Sequence, residues 1–261
     1  MKNGFKWKNN KWNVGLWWGD HHPDRDVFWY GDSVSKDSDG NLVLDVVRHP
    51  KEFDGKMYHY SVGCVQDVND YKYGLFRWWC KLPKGKGVWP ALWLASRQSW
   101  PPEIDCMEGW SRTDKATYRK GLFKFNIHPT VHWGDTENHK QNRGRRAGLL
   151  SLCEDKVNEF AILWLPKYVF VLYNGWVVGQ FNDKEMLKQL NEEGITMSPI
   201  MSINVTPNGE SFDYQDYLKN GSPMIVYDYE YIPLEKVEVD PFYYEPYEFC
   251  SRRKKMQDEK K

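Results

Sequence analysis

The sequence predicts an all-β protein, an antiparallel sandwich or barrel carrying one or two short helices. Three observations lead there. Short runs of β-prone residues recur along the chain, each bounded by turn residues. One segment alone carries a helical signature, and no strand–helix alternation appears, which argues against a parallel sheet. The length, 261 residues, suits one large all-β unit, since sandwiches often run to roughly 200–250 residues.

In chain order, residues 1–30 are rich in Trp, Asn and His and are expected to pack against the sandwich. Asn41–Val47 alternates after the turn Asp39-Gly40. Gly74–Leu82 follows, then a loop Pro83–Gly87, then Val88–Ala95. Leu122–His132 reads as one or two strands. Phe160–Leu165 and Tyr168–Tyr173 are apolar runs, and Asn174-Gly175 is a hairpin turn into Trp176–Phe181. Asp183–Glu193 is the helix: Asp183 caps it, Met186, Leu187 and Leu190 form its apolar face, and Gly194 ends it. Pro199–Val205 and Met224–Ile232 complete the strands. Residues 1–250 are expected to form one domain, and 251–261, SRRKKMQDEKK, a charged disordered tail.

Composition narrows the partners. Lys+Arg and Asp+Glu number 36 each, so no net field favours nucleic acid or an anionic membrane surface. No apolar run has the length of a transmembrane helix, and the N-terminal stretch lacks the apolar core of a signal peptide. Aromatic residues reach 16%, with 14 Trp, 16 Tyr and 12 Phe. Some fill the core. Others can serve as flat platforms with a polar edge, which suit the apolar faces of sugar rings. The five cysteines, Cys64, Cys80, Cys106, Cys153 and Cys250, form no CxxC pair and read as buried thiols.

The chemistry concentrates in Trp100–Trp110, WPPEIDCMEGW. Along a strand, Glu103 and Asp105 share a face while Glu108 points away. One extra residue, a β-bulge, would return Glu108 to their face. Two carboxyl groups so placed suit a retaining glycosidase: one attacks the anomeric carbon, the other protonates the leaving oxygen and later activates water. Repulsion among three acids would keep one protonated. The same acids after Pro101-Pro102 would equally suit a helix N-terminus or an acidic surface.

Residues 73–110, YGLFRWWCKLPKGKGVWPALWLASRQSWPPEIDCMEGW, resemble glycoside hydrolase family 16. Lys81-Leu82-Pro83, Trp89-Pro90-Ala91-Leu92-Trp93-Leu94 and Glu103-Ile104-Asp105-Cys106-Met107-Glu108 carry the likeness. Weaker similarity continues at His132-Trp133-Gly134, Phe160–Trp164 and Asp228–Tyr231, so that roughly residues 30–235 are covered. The resemblance implies a β-jelly roll with a concave glycan cleft and a retaining, endo-acting mechanism. Glu103 would be the nucleophile, Asp105 the assisting acid and Glu108 the acid/base. Two residues between Asp105 and Glu108 match the bulged subgroup of laminarinases, agarases, porphyranases and carrageenases. Lichenase and xyloglucan-type substrates are less expected. Pro102 stands where many relatives have Gly.

Further candidates surround the acids. Trp89, Trp93, Trp100 and Trp110 are expected sugar platforms or core rings. His132 could bond an acid or a sugar hydroxyl, with His128 on the same face, and Asn204 could line the cleft. His139–Arg146, a loop holding four positive charges, offers Arg143, Arg145 and Arg146 to an anionic glycan. No cofactor is required; the resemblance allows one structural calcium, with Asp228 the position most like a ligand to it. The expected state is a monomer acting on a polysaccharide outside the cell or at its surface, though no export signal is visible. The alternatives are a non-catalytic carbohydrate-binding module, a transglycosylase, and a virion or cell-surface component that grips glycans.

Overall fold

The computed structural model describes residues 4–111, 125–144, 156–205 and 212–237, with residues 110, 111, 125 and 126 described through their backbone alone. Numbering strands in chain order, an eight-stranded sheet runs β1 (Phe5–Trp7), β2 (Asn10–Val14), β8 (Cys64–Asp67), β17 (Ser198–Val205), β10 (Val88–Ala95), β11 (Glu103–Ser111), β12 (Phe125–Trp133) and β13 (Lys140–Arg143). A seven-stranded sheet runs β16 (Trp176–Phe181), β15 (Val169–Tyr173), β14 (Asn158–Trp164), β9 (Gly74–Lys81), β18 (Met224–Ile232), β5 (Leu42–Leu44) and β4 (Val34–Lys36). A third, small sheet joins β3 (Val27–Phe28), β7 (Lys56–Val62) and β6 (Val46–Phe53), with β3 and β7 parallel and every other pair antiparallel.

The two large sheets face each other, and alternation decides what lies between them. In β9 the residues Phe76, Trp78 and Cys80 are fully buried while Leu75, Arg77, Trp79 and Lys81 face outward. In β10, Leu92 and Leu94 enter the core while Trp89, Ala91 and Trp93 face the opposite side of the sheet. That opposite side is the floor of a cleft of about 950 Å³.

The Asn174-Gly175 turn forms as expected, with both residues at positive φ, 50° and 83°, which matches the right-handed twist of the strands it joins. Helix α1 (Lys184–Leu190) is capped by Asp183, whose Oδ1 accepts from the N–H groups of Glu185 and Met186 at 3.0 Å each. A second helix, α2 (Tyr214–Asn220), is capped in the same way by Asp213.

Residues 4–30 pack on the sandwich as expected and carry strands β1 to β3. Two expectations need correction. The expected strand Asn41–Val47 is broken at Asp45, where the chain leaves the seven-stranded sheet for the small one. The His139–Arg146 loop is, in its first half, the edge strand β13, paired with β12 from Thr130↔Arg143 to Trp133↔Lys140. Its charges suit an edge, where they discourage pairing with another chain. The tail 251–261, Cys153 and Cys250 lie outside the described residues, and Cys64, Cys80 and Cys106 are buried.

Candidate active site

The bulge lies where the acid spacing placed it. In the β11–β12 ladder, Glu103 stands opposite His132, Asp105 opposite Thr130 and Glu108 opposite His128. Three residues advance on β11 while two advance on β12. The β10 side shows the same slip, with Trp93 opposite Asp105 and Leu92 opposite Met107. Cys106 is the residue passed over, and both Cys106 and Met107 are fully buried in the core. Glu103, Asp105 and Glu108 therefore all line the cleft. Pro102 precedes β11, and its carbonyl accepts from the Ser96 N–H at 3.4 Å, so the proline takes no donor from the ladder.

The side chains around the acids differ from one end to the other. The Trp100 indole N–H donates to Glu103 Oε2 at 3.2 Å. His132 Nε2 lies 3.1 Å from Asp105 Oδ2 and 3.8 Å from Glu103 Oε1. The shorter contact is not aligned as a hydrogen bond, and Asp105 Oδ2 is buried with no aligned partner. Glu108 sits among Trp89, Arg143 and Arg25, and the Arg25 guanidinium lies over the Trp89 ring at 4.5 Å.

All three carboxyls are pushed toward the protonated form. Burial is the largest cause for each. It lifts Asp105 and Glu108 to about 8 and Glu103 well above the ordinary carboxylate range. The charge of Asp105 adds to the rise at Glu103 and Glu108, while His132 opposes it at both and Arg143 opposes it at Glu108. A site of this kind holds carboxylic acid and carboxylate side by side near neutral pH, the condition for combined acid and nucleophilic chemistry.

Residues 21–211 match the profile of the family described as Glycosyl hydrolases family 16. The chain belongs to that family. Among curated proteins it is 34% identical over 107 residues to glucan endo-1,3-beta-glucosidase A1 of Niallia circulans, covering 37% of this chain and 14% of that protein. It is 27% identical over 139 residues to a beta-glucanase of Rhodothermus marinus, covering 50% of this chain and 44% of that protein. The chain thus spans less than half the length of either relative. Among solved structures, LamAcat of Zobellia galactanivorans superposes with a TM-score of 0.65 at 17% identity, covering 86% of this chain and 92% of that one. The laminarinase catalytic domain of Thermotoga maritima superposes at 0.61 and 20%, covering 82% and 88%. The sandwich is the jelly roll of this family.

The family-16 cleft also collects most of the other expected residues. Trp89, Trp93, Trp100, His132, Asn204 and Arg143 all line it. Trp93 is fixed by its indole N–H donating to Ser202 Oγ at 3.1 Å. Asn204 stands opposite Trp89, and its Oδ1 accepts from the Val205 N–H. His128 is on the expected face but is buried beneath the cleft rather than lining it. The side chains of Trp110, Arg145 and Arg146 lie outside the described residues.

The calcium expectation does not fit. Asp228 is exposed at a bulge of β18, with Lys8 Nζ 3.9 Å from its carboxylate, and a lysine there competes with a bound cation. Among the described residues, Glu103, Asp105 and His132 are the one group of three with metal-binding atoms close together, and these are the cleft's own acids and histidine.

Sequence reasoning missed part of the wall. Leu16, Trp17, Trp18, His22, Pro23 and Asp24 line the cleft from the N-terminal segment, and Arg25 reaches Trp89. The run WWGDHHPDR was a signal, because so many aromatic and ionisable residues in an irregular stretch seldom serve packing alone.

Proposed function

We propose that this protein is a retaining, endo-acting glycoside hydrolase that cleaves internal β-linkages of a polysaccharide, with β-1,3-glucan of the laminarin type as its substrate. The observation that carries this is the bulge at Cys106, which turns Glu108 onto the same cleft face as Glu103 and Asp105. Glu103 attacks the anomeric carbon and the glycosidic C–O bond breaks as Glu108 gives its proton to the leaving oxygen. Glu108, now a carboxylate, takes a proton from water, which displaces Glu103 and releases the sugar. Asp105 and His132 govern the charge of Glu103 between the two steps. The relatives named above favour a β-glucan, and an open cleft floored by Trp89 and Trp93 suits the middle of a neutral chain. The protein acts as a monomer on a polymer outside the cell, and requires no cofactor.

A second reading, a sulfated red-algal galactan, is favoured by Arg143, whose guanidinium lines the cleft on the Glu108 side. A transglycosylase would use the same geometry with a sugar in place of water, and a binding module would keep the platforms without turnover.

The test is a reducing-end assay of the protein and Glu103→Gln on laminarin, mixed-linkage glucan, agarose, porphyran and κ-carrageenan. Cleavage of laminarin, lost in the variant, is expected. Cleavage of a sulfated galactan alone would select the second reading. Binding without cleavage of any polymer would overturn the enzyme reading.

A further inference from the structure

His139 is an exposed residue that the proposed chemistry does not use, yet it is held against the residue that touches the acids. The rings of His132 and His139 lie edge to edge, with centroids 4.9 Å apart and planes 12° from parallel. His132 Nδ1 lies 2.8 Å from His139 Nε2. The Trp100 ring lies 5.0 Å from the His139 ring at 31°, and its indole N–H is the donor to Glu103. A chain of contacts thus runs from His139 through His132 to Asp105 and Glu103, and the Trp100 ring joins its two ends.

The turn that carries His139 is itself fastened. The Gly134 N–H donates to Gln189 Oε1 at 2.7 Å, and Gln189 Nε2 donates back to the Gly134 carbonyl at 2.7 Å, tying the β12–β13 turn to helix α1. Asp135 Oδ1 accepts from the N–H groups of Glu137 and Asn138. Gly134 has φ +92°, and a Cβ there would lie 2.5 Å from the Asn138 carbonyl oxygen, so the turn requires glycine.

The proton count decides the roles. A neutral imidazole has one N–H and one lone pair. At 2.8 Å, one of the two facing nitrogens must donate and the other accept. If His132 donated from Nδ1, its Nε2 would turn a bare lone pair toward Asp105 Oδ2 and Glu103 Oε1. If His139 donates, the proton of His132 stands on Nε2, where it can serve an ionised carboxylate. A nucleophile must be ionised, so only the second arrangement helps it.

We infer that His139 is a positioning residue: it donates from Nε2 to His132 Nδ1 and so keeps the His132 proton on Nε2, the nitrogen nearest Asp105 and Glu103. The contact between the two imidazoles follows from the geometry; the choice of tautomer takes Glu103 as the ionised nucleophile and so rests on the glycosidase reading. Its effect on rate rests on the same reading. Charged or ionisable groups facing His132 are Glu103 and Asp105 on β11, Glu108 further along that strand, and His139. With His139 gone, Glu103 loses part of the donor that keeps it ionisable. The acidic limb of the pH–rate profile should then move upward.

The test uses the full chain with 15N-labelled imidazoles, whose seven histidines are few enough to resolve, and a His132→Gln sample to assign the signals. Long-range proton–nitrogen spectra are recorded at pH 7.5 for the wild type, His139→Phe, which keeps an aromatic ring without a donor, and His139→Gln, which restores an N–H donor. His132 should be the Nε2–H tautomer in the wild type and in His139→Gln, and should become mixed in His139→Phe. In the active enzyme, His139→Phe should lower kcat about tenfold and raise the acidic limb by about half a pH unit, with KM nearly unchanged and His139→Gln restoring much of both. An Nδ1–H tautomer in the wild type, or an unchanged tautomer in His139→Phe, overturns the inference. A wild type that is inactive on every glycan but shows the tautomer lock would remove the glycosidase reading and leave the positioning role standing.

Discussion

The hydroxyl of Tyr173 crosses the core from β15 and donates to the carbonyl oxygen of Cys106 at 2.8 Å, so the opposing sheet holds the bulge on which the active-site geometry depends. A bulge leaves a backbone group outside the ladder, and a buried carbonyl without a donor is costly. Replacing Tyr173 by Phe keeps the ring and removes the donor. The expected cost is about 1–3 kcal/mol of stability. Thermal unfolding measures it. Because Asp105 and Glu108 flank Cys106, kcat should fall as well; unchanged stability and turnover would show that the bulge holds without this bond.

The three acids set a pH dependence of stability whose sign can be worked out. Burial raises Glu108 to about 8 in the fold, whereas an unfolded Glu titrates near 4.3. Between those values the folded state retains a proton that the unfolded state has lost. Stability is therefore full below about pH 4 and declines as pH rises toward 8. Glu108→Gln removes this penalty. A tenfold difference in proton affinity between folded and unfolded states is worth about 1.4 kcal/mol, and relaxation of the neighbouring acids reduces the whole, so a gain of about 2–3 kcal/mol at pH 8 is expected. Little gain is expected at pH 4. Equal melting temperatures for variant and wild type at pH 8 would contradict the raised carboxyl.

Arg143 lowers the pKa of Glu108, and in the proposed mechanism Glu108, as the proton donor, sets the alkaline limb of kcat/KM. Arg143→Ala should therefore move that limb to higher pH. The side chain is exposed, so screening limits the movement to about 0.3 on the pH scale at low salt, vanishing near 0.5 M. On a sulfated galactan the same variant should also raise KM. A limb that moved to lower pH would reverse the assigned roles.

Much of this architecture was legible from local patterns. The Glu103–Glu108 spacing revealed the bulge because a period of two makes a one-residue insertion visible. Asn174-Gly175 and the Asp183 cap were legible because each states its own backbone geometry. The β6–β7 hairpin was not. Its residues Arg48–Tyr60 are largely polar, because only part of its surface is buried, and Asp54-Gly55 was its one sequence mark. His139 was hidden for another reason: its partner His132 lies across a turn, and no periodicity records a contact between two imidazole edges.

The N-terminal segment adds an aromatic arm to the cleft. Trp18 is 46% exposed, lies edge-on to Trp17 at 4.5 Å, and comes within 6.2 Å of Trp93, which lines the cleft next to the acids. Residues 4–20 precede the stretch that matches the family profile. Trp93 stands opposite Asp105 on the neighbouring strand, so Trp18 lies one ring contact beyond the residue beside the acids. A sugar on Trp18 would occupy the subsite beyond the one at Trp93. Trp18→Ala should raise KM about tenfold for long oligosaccharides while leaving the shortest cleavable ones unchanged, and Trp18→Phe should recover part of the loss. Kinetics on a graded series of laminari-oligosaccharides would measure this. The same loss at every length would mean that Trp18 supports the site's structure rather than binding a distant sugar.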